Sequence, residues 1–193
     1  TAIADIIDNS IAAGSTHIWL DFNWAEESSR VTILDNGHGM DAHTLDLAMR
    51  LGEKSPLEAR SASDLGRFGL GLKTASFSQC RRLTVGTIGT DGFQCLRWDL
   101  DELGTDGNSW LLHEGIASGS ELHFEPLHKQ RLGTMILWEN LDRVLVAGYG
   151  IENFLELCDK VERHLAMVFH RFLEGTKPKL RIFLNGKPIL PWD

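Results

Sequence analysis

A chain of 193 residues is long enough for one well-buried core, and 42% hydrophobic with 24% charged residues sets it among globular proteins rather than disordered ones. The formal charge of −8 argues against a general binder of nucleic acid or anionic membrane, since both attract clustered Lys and Arg. Cys80, Cys95 and Cys158 are odd in number and widely spaced, which argues against a disulfide framework or a structural zinc site and fits reduced thiols.

No apolar run is long enough to span a bilayer, and the start lacks the pattern of a signal peptide, so the expected location is cytoplasmic, with no membrane partner. Thr1 falls inside a helical pattern and Asp193 follows a strand pattern. The chain is therefore expected to be a single domain over 1–193, cut from a longer protein, with 180–193 leading into a following domain.

In chain order, Ile3, Ile6, Ile7 and Ile11 recur at helical spacing before Gly14, which predicts an amphipathic helix over 1–13 that carries Asp5, Asp8 and Asn9. The stretch 17–24 alternates in period two, and 30–35 is a second strand candidate; the two can pair as a hairpin. Asp41 is positioned to cap a helix over 41–51. Residues 52–66 mix Gly, Ser, Pro and charge without a period and predict a mobile loop, followed by a helix from about 69 to 79. Strand-like runs at 82–89, 93–99, 109–113, 120–124 and 134–139 suggest an antiparallel meander. Apolar residues from Ile151 to Phe172 predict one long helix, and Asn185-Gly186 predicts a closing hairpin within 180–190. The sum is an α/β (α+β) two-layer sandwich, with helices on one face of a mixed, largely antiparallel sheet. The glycines at 66–71 follow a loop rather than a strand, unlike a Rossmann turn, and the upstream glycine of a Walker-A loop is missing.

Three strings carry chemistry. In Asp35-Asn36-Gly37-His38-Gly39-Met40 a carboxylate at a strand end can accept from an adenine amine while Gly37 and Gly39 allow close backbone approach, although Asn-Gly also marks a plain hairpin turn. In Gly66-Arg67-Phe68-Gly69-Leu70-Gly71-Leu72-Lys73 the glycines precede an apolar helix and let amides converge on an anion, with Lys73 as a point charge; a flexible connector has the same composition. On the first helix Asp5 and Asn9 share a face, where an amide oxygen can ligate Mg²⁺ and a carboxylate can position water; a solvated polar stripe is the alternative.

Taken together and in this order, the strings resemble the GHKL superfamily, which includes DNA gyrase, the large heat-shock chaperone, MutL, histidine kinases and MORC proteins. Residues 2–10 resemble its N-box, Asp35–Gly39 its Asp-x-Gly-x-Gly box and Gly66–Gly71 its second glycine box, while Gly133-Thr134 and the strand after it resemble the late Gly-Thr strand. Lys73 and that strand look most like the MORC-like or topoisomerase-like members.

The resemblance implies a Bergerat ATP-binding fold that takes ATP with Mg²⁺. Asn9 would hold the metal, Asp35 would bind the adenine amine with Thr134 helping through water, and Gly37, Gly39 and Met40 would belong to the nucleotide-binding set. Gly66, Arg67, Phe68, Gly69, Leu70, Gly71, Leu72 and Lys73 would surround the phosphates, and 52–66, with Lys54, would form the ATP lid. It further implies an ATP-driven switch with slow hydrolysis, an ATP-dependent homodimer, and nucleic acid as a partner only through other domains. Two positions depart from the family pattern: Asp5 stands where the catalytic Glu is usual, and Ala12 where an acidic residue often follows. Two other functions stay open, a histidine-kinase catalytic domain, suggested by Gly69-Leu70-Gly71-Leu72, and a non-hydrolysing nucleotide sensor, suggested by Asp5 and Ala12.

Overall fold

The computed structural model describes residues 2–50, 71–103, 110–142 and 149–192. Its strands are β1 (His17–Asn23), β2 (Arg30–Asp35), β3 (Arg82–Gly89), β4 (Gly92–Leu103), β5 (Trp110–Glu114), β6 (Gly133–Glu139), β7 (Arg181–Leu184) and β8 (Lys187–Pro188). They form one open sheet in the order β5-β4-β3-β6-β2-β1-β7-β8. Every neighbouring pair is antiparallel except β1 and β7, which run parallel. The sheet is therefore mixed and largely antiparallel, as the sequence implies.

The helices are α1 (Ala2–Ala12), α2 (Ala42–Met49), α3 (Gly71–Phe77), α4 (Glu125–His128), α5 (Ile151–Val168) and α6 (His170–Leu173). Period-two alternation sorts the sheet residues between two cores. Val31 and Ile33 of β2, Val85 of β3 and Ile136 of β6 join Ile6 and Ile7 of α1, Leu45 and Met49 of α2, and Phe154 and Leu165 of α5 in the larger one. Ile6 and Ile7 are fully buried, a contribution of about 2 kcal/mol each that outweighs the modest helix propensity of a β-branched residue. Asp41 caps α2 as expected, its Oδ1 accepting from the Thr44 amide at 2.7 Å.

The opposite face is not bare. Leu34, Met135 and Leu137 point there and pack with Phe124 and Leu127 in a smaller core. Residues 120–124, expected as a strand, instead form a 3₁₀ turn, Glu121–Phe124, that runs into α4. The Leu122/Phe124 alternation imitates a strand, but Leu122 is 73% exposed, Phe124 alone is anchored, and Pro126 in the first turn of α4 favours helix. The expected helix over 151–172 is likewise divided, because Phe169 leaves helical geometry (φ −100, ψ 14) between α5 and α6. That bend keeps both Phe169 and Leu173 in the core. The closing hairpin forms as expected: Asn185 and Gly186 both take positive φ (47 and 79) between β7 and β8.

Candidate functional site

The site begins where α1 ends. Gly14 adopts φ +76, its amide donates to the Ile11 carbonyl at 2.9 Å and the Ser15 amide donates to the Ser10 carbonyl at 3.0 Å. This is the Schellman arrangement, which requires a residue tolerant of the left-handed region at Gly14. It folds Ser15 back beside Ser10, and both hydroxyls then meet the carboxylate at the end of β2. Ser10 Oγ donates to Asp35 Oδ2 at 2.8 Å, Ser15 Oγ to Oδ1 at 3.1 Å, and the Gly37 amide to Oδ1 at 2.8 Å.

Asp35 is 6% exposed and shares the α1 side of the sheet with Ile33. Burial raises its pKa, and the bonds from Gly37, Ser10, Ser15 and the Thr134 main chain pull the other way. A carboxylate so furnished is a fixed acceptor in a dry setting, suited to reading a donor such as an exocyclic amine.

The turn after Asp35 is tied down on both sides. Asn36 Oδ1 accepts from the amides of Thr16 and His17, each at 2.9 Å, and the His38 amide donates to the Ala13 carbonyl at 3.0 Å. Gly39 has φ +69, and a Cβ there would lie 2.1 Å from the Ile88 carbonyl oxygen. Gly89 reciprocates, since a Cβ on it would lie 2.4 Å from the Met40 carbonyl oxygen. The two backbones thus touch, and side chains on either would force them apart.

Thr87 joins this turn to the late strand. Its Oγ1 donates to the Gly133 carbonyl at 3.1 Å, accepts from the Met40 amide at 2.9 Å and lies 3.1 Å from Thr134 Oγ1. With its proton committed to Gly133, Thr87 accepts from Thr134, whose own oxygen keeps its lone pairs for a water or ligand donor. Asp35 and Thr134 are direct register partners of β2 and β6.

On α1, Asp5 is exposed and Asn9 half-buried, one turn apart on one face. Asp8 beside them has its pKa raised by partial burial and then by the charge of Asp5. The Asn9 side-chain amide takes no hydrogen-bond partner among the described residues, so the donor set here, an amide oxygen with carboxylates nearby, fits a hard cation such as Mg²⁺. Helix α3 packs against α1 and begins at Gly71. Leu72 and Lys73 are buried in it, and the Lys73 ammonium donates to the main-chain carbonyl of Arg50, at the C-terminal cap of α2. Burial lowers the Lys73 pKa. Lys54, Gly66, Arg67, Phe68, Gly69 and Leu70, and with them the expected lid over 52–66, lie outside the described residues.

The structure therefore joins Asp35, Gly37, Gly39, Met40 and Thr134 in one connected group, with Asn9 beside Ser10 on the neighbouring helix. Sequence reasoning missed Ser10, Ser15, Thr87 and Gly89. Only Ser15 left a signal, as a hydroxyl residue directly after a helix-ending glycine.

An open, mostly antiparallel sheet backed by helices, with a buried carboxylate at the end of β2, differs from the parallel sheet of a Rossmann fold. The family model described as histidine kinase-, DNA gyrase B- and HSP90-like ATPase matches residues 1–134, and the chain belongs to this family of ATP-binding domains. Among solved structures it is similar to the ATPase and transducer domains of DNA topoisomerase II from Balamuthia mandrillaris, with a TM-score of 0.58 and 14% identity. That match covers 98% of this chain and 48% of the topoisomerase chain, so the present chain spans about half the length of its structural relative. No curated protein matches it at the sequence level. Among the described residues no helix is long and apolar enough to cross a membrane.

Proposed function

We propose that the chain is the Mg-ATP-binding unit, a single domain over 1–193, of a slow ATPase that works as a nucleotide-driven switch in a longer cytoplasmic protein of MORC-like or topoisomerase-like type. The observation that supports this most is the buried Asp35 carboxylate, held by Ser10, Ser15 and Gly37 as an acceptor for the adenine amine. Thr134 assists through a bridging water, using the lone pairs that its contact with Thr87 leaves over. Asn9 holds Mg²⁺ through its amide oxygen, and the metal, when bound, screens the charge of the phosphates.

Asp5, one turn before Asn9, orients and deprotonates the attacking water. Its side chain is one methylene shorter than glutamate, which moves the base away from the water and slows hydrolysis. Gly71, Leu72 and Lys73, with the glycine segment from Gly66 and with Lys54, surround the phosphates, and 52–66 closes over them as a lid. Closure promotes pairing of two such domains, and hydrolysis resets them. Nucleic acid, if handled, is bound by other domains, in keeping with the charge of −8.

The test is phosphate release and ATP affinity for the wild type, Asn9→Ala, Asp5→Asn and Asp5→Glu in Mg²⁺. Asn9→Ala is expected to lose the Mg²⁺-dependent part of binding, Asp5→Asn to bind but not hydrolyse, and Asp5→Glu to hydrolyse faster. Measurable hydrolysis that is unchanged in both Asp5 variants would mean that Asp5 is not the base, and ATP binding without phosphate release by the wild type would leave a non-hydrolysing nucleotide sensor.

A further inference from the structure

Ser15 enters the scheme above only as one of three donors that hold Asp35, yet it is 6% exposed and aims its one side-chain polar atom at the group that reads the base. Its position is over-determined. The Schellman bonds of Gly14 and Ser15 to α1 fix its backbone, and a Cβ on Gly37 would lie 2.8 Å from its Oγ, so the two segments are in contact. An ionised carboxylate oxygen has two lone-pair directions. On Asp35 Oδ1 both are engaged, by Ser15 Oγ at 3.1 Å and the Gly37 amide at 2.8 Å, whereas the one side-chain donor to Oδ2 is the Ser10 hydroxyl at 2.8 Å, with the Thr134 main chain also bearing on the carboxylate.

We propose that Ser15 is a positioning residue for purine selection: with the Gly37 amide it fills Asp35 Oδ1, fixes the carboxylate plane and leaves Oδ2 as the oxygen that accepts the 6-amino group of the base. This rests on the reading of Asp35 as the base acceptor. The groups that bear on Asp35 come from α1 (Ser10), the α1–β1 connection (Ser15), the turn after β2 (Gly37) and β6 (Thr134), and none is charged. Orientation and acceptor character therefore come from neutral donors. A hydroxyl donating to one oxygen keeps the proton off it, so the free lone pair welcomes a 6-amino purine and repels a 6-oxo purine, whose oxygen is itself an acceptor. Without the Ser15 hydroxyl, Oδ1 regains an open direction, the carboxylate can rotate or take a proton, and the distinction between the two bases fades.

The experiment is a thermodynamic cycle on the 193-residue chain. Affinities for ATP and for purine riboside triphosphate, which lacks the 6-amino group, are measured for wild type, Ser15→Ala and Ser15→Cys. Each ratio is taken on one preparation, so a partly unfolded fraction cancels. For Ser15→Ala, ATP affinity is expected to fall about fivefold while the analogue changes by about twofold or less. Ser15→Cys, with a weaker donor of similar size, should lie between. Equal losses for both ligands, with the wild-type preference retained, would overturn the role of Ser15 and leave Asp35 as the base acceptor. A wild type indifferent to the 6-amino group would overturn both.

Discussion

Ser10 and Asp35 are joined across the helix–sheet interface by a 2.8 Å hydrogen bond between buried groups, so the position of α1 and the orientation of the β2 carboxylate are one variable rather than two. Ser10→Ala removes a donor from a buried charge. The expected cost is about 1–3 kcal/mol in urea unfolding at neutral pH, and an unchanged midpoint would contradict the coupling.

Asp35 also carries a pH signature. Burial raises its folded-state pKa above 3.8, so the unfolded chain gives up this proton first. The carboxyl therefore lowers stability progressively as pH climbs from near 3.8 through the raised folded value, and has no further slope above it. Asp35→Asn lacks this slope. Melting temperatures from about pH 3 to about pH 8 should show the variant at least as stable as wild type at the upper end.

The contact between Gly39 and the Ile88 carbonyl predicts a contrast between two glycines with similar backbone angles. Gly39→Ala meets both an unfavourable φ of +69 and a backbone oxygen at 2.1 Å, and is expected to cost about 3 kcal/mol or more. Gly92→Ala, at φ +80 with open space around it, should cost about 1–2 kcal/mol. Chemical denaturation of the two variants side by side checks this; equal losses would mean that φ alone matters.

Lys73 is seated on the Arg50 carbonyl, and its use as a phosphate contact requires the ammonium to leave that oxygen. If it does, Lys73→Met should weaken ATP about tenfold and ADP much less, because the lost charge faces the terminal phosphate. Parallel titrations with the two nucleotides test it. Equal affinities before and after substitution would assign Lys73 to holding α3 against the end of α2.

The sequence was legible where a periodic pattern and a stop signal agree. α1 follows from isoleucines ending at Gly14, and the β1–β2 and β7–β8 hairpins follow from alternation around polar turns. It was misleading at 120–124, where Leu122 alternates with Phe124 in the sequence but stays exposed, and at Phe169, which leaves helical geometry yet stays in the core. In the site, Asp35, Gly37 and Gly39 are readable because they stand together in one string. Ser10, Thr87 and Gly89 are not, since each matters through a partner distant in sequence: Asp35, the Met40–Gly133–Thr134 cluster, and the Met40 carbonyl.

The measurement that bears most directly on the central claim is calorimetric titration of ATP with Mg²⁺ into the wild type and Asp35→Asn. The amide keeps the shape of the carboxylate but lacks its charge, and its acceptor oxygen competes for the same donors. Wild type should bind with measurable heat and Asp35→Asn at least tenfold more weakly, with its fold retained. Equal affinity in the two folded proteins would contradict Asp35 as the residue that holds the base.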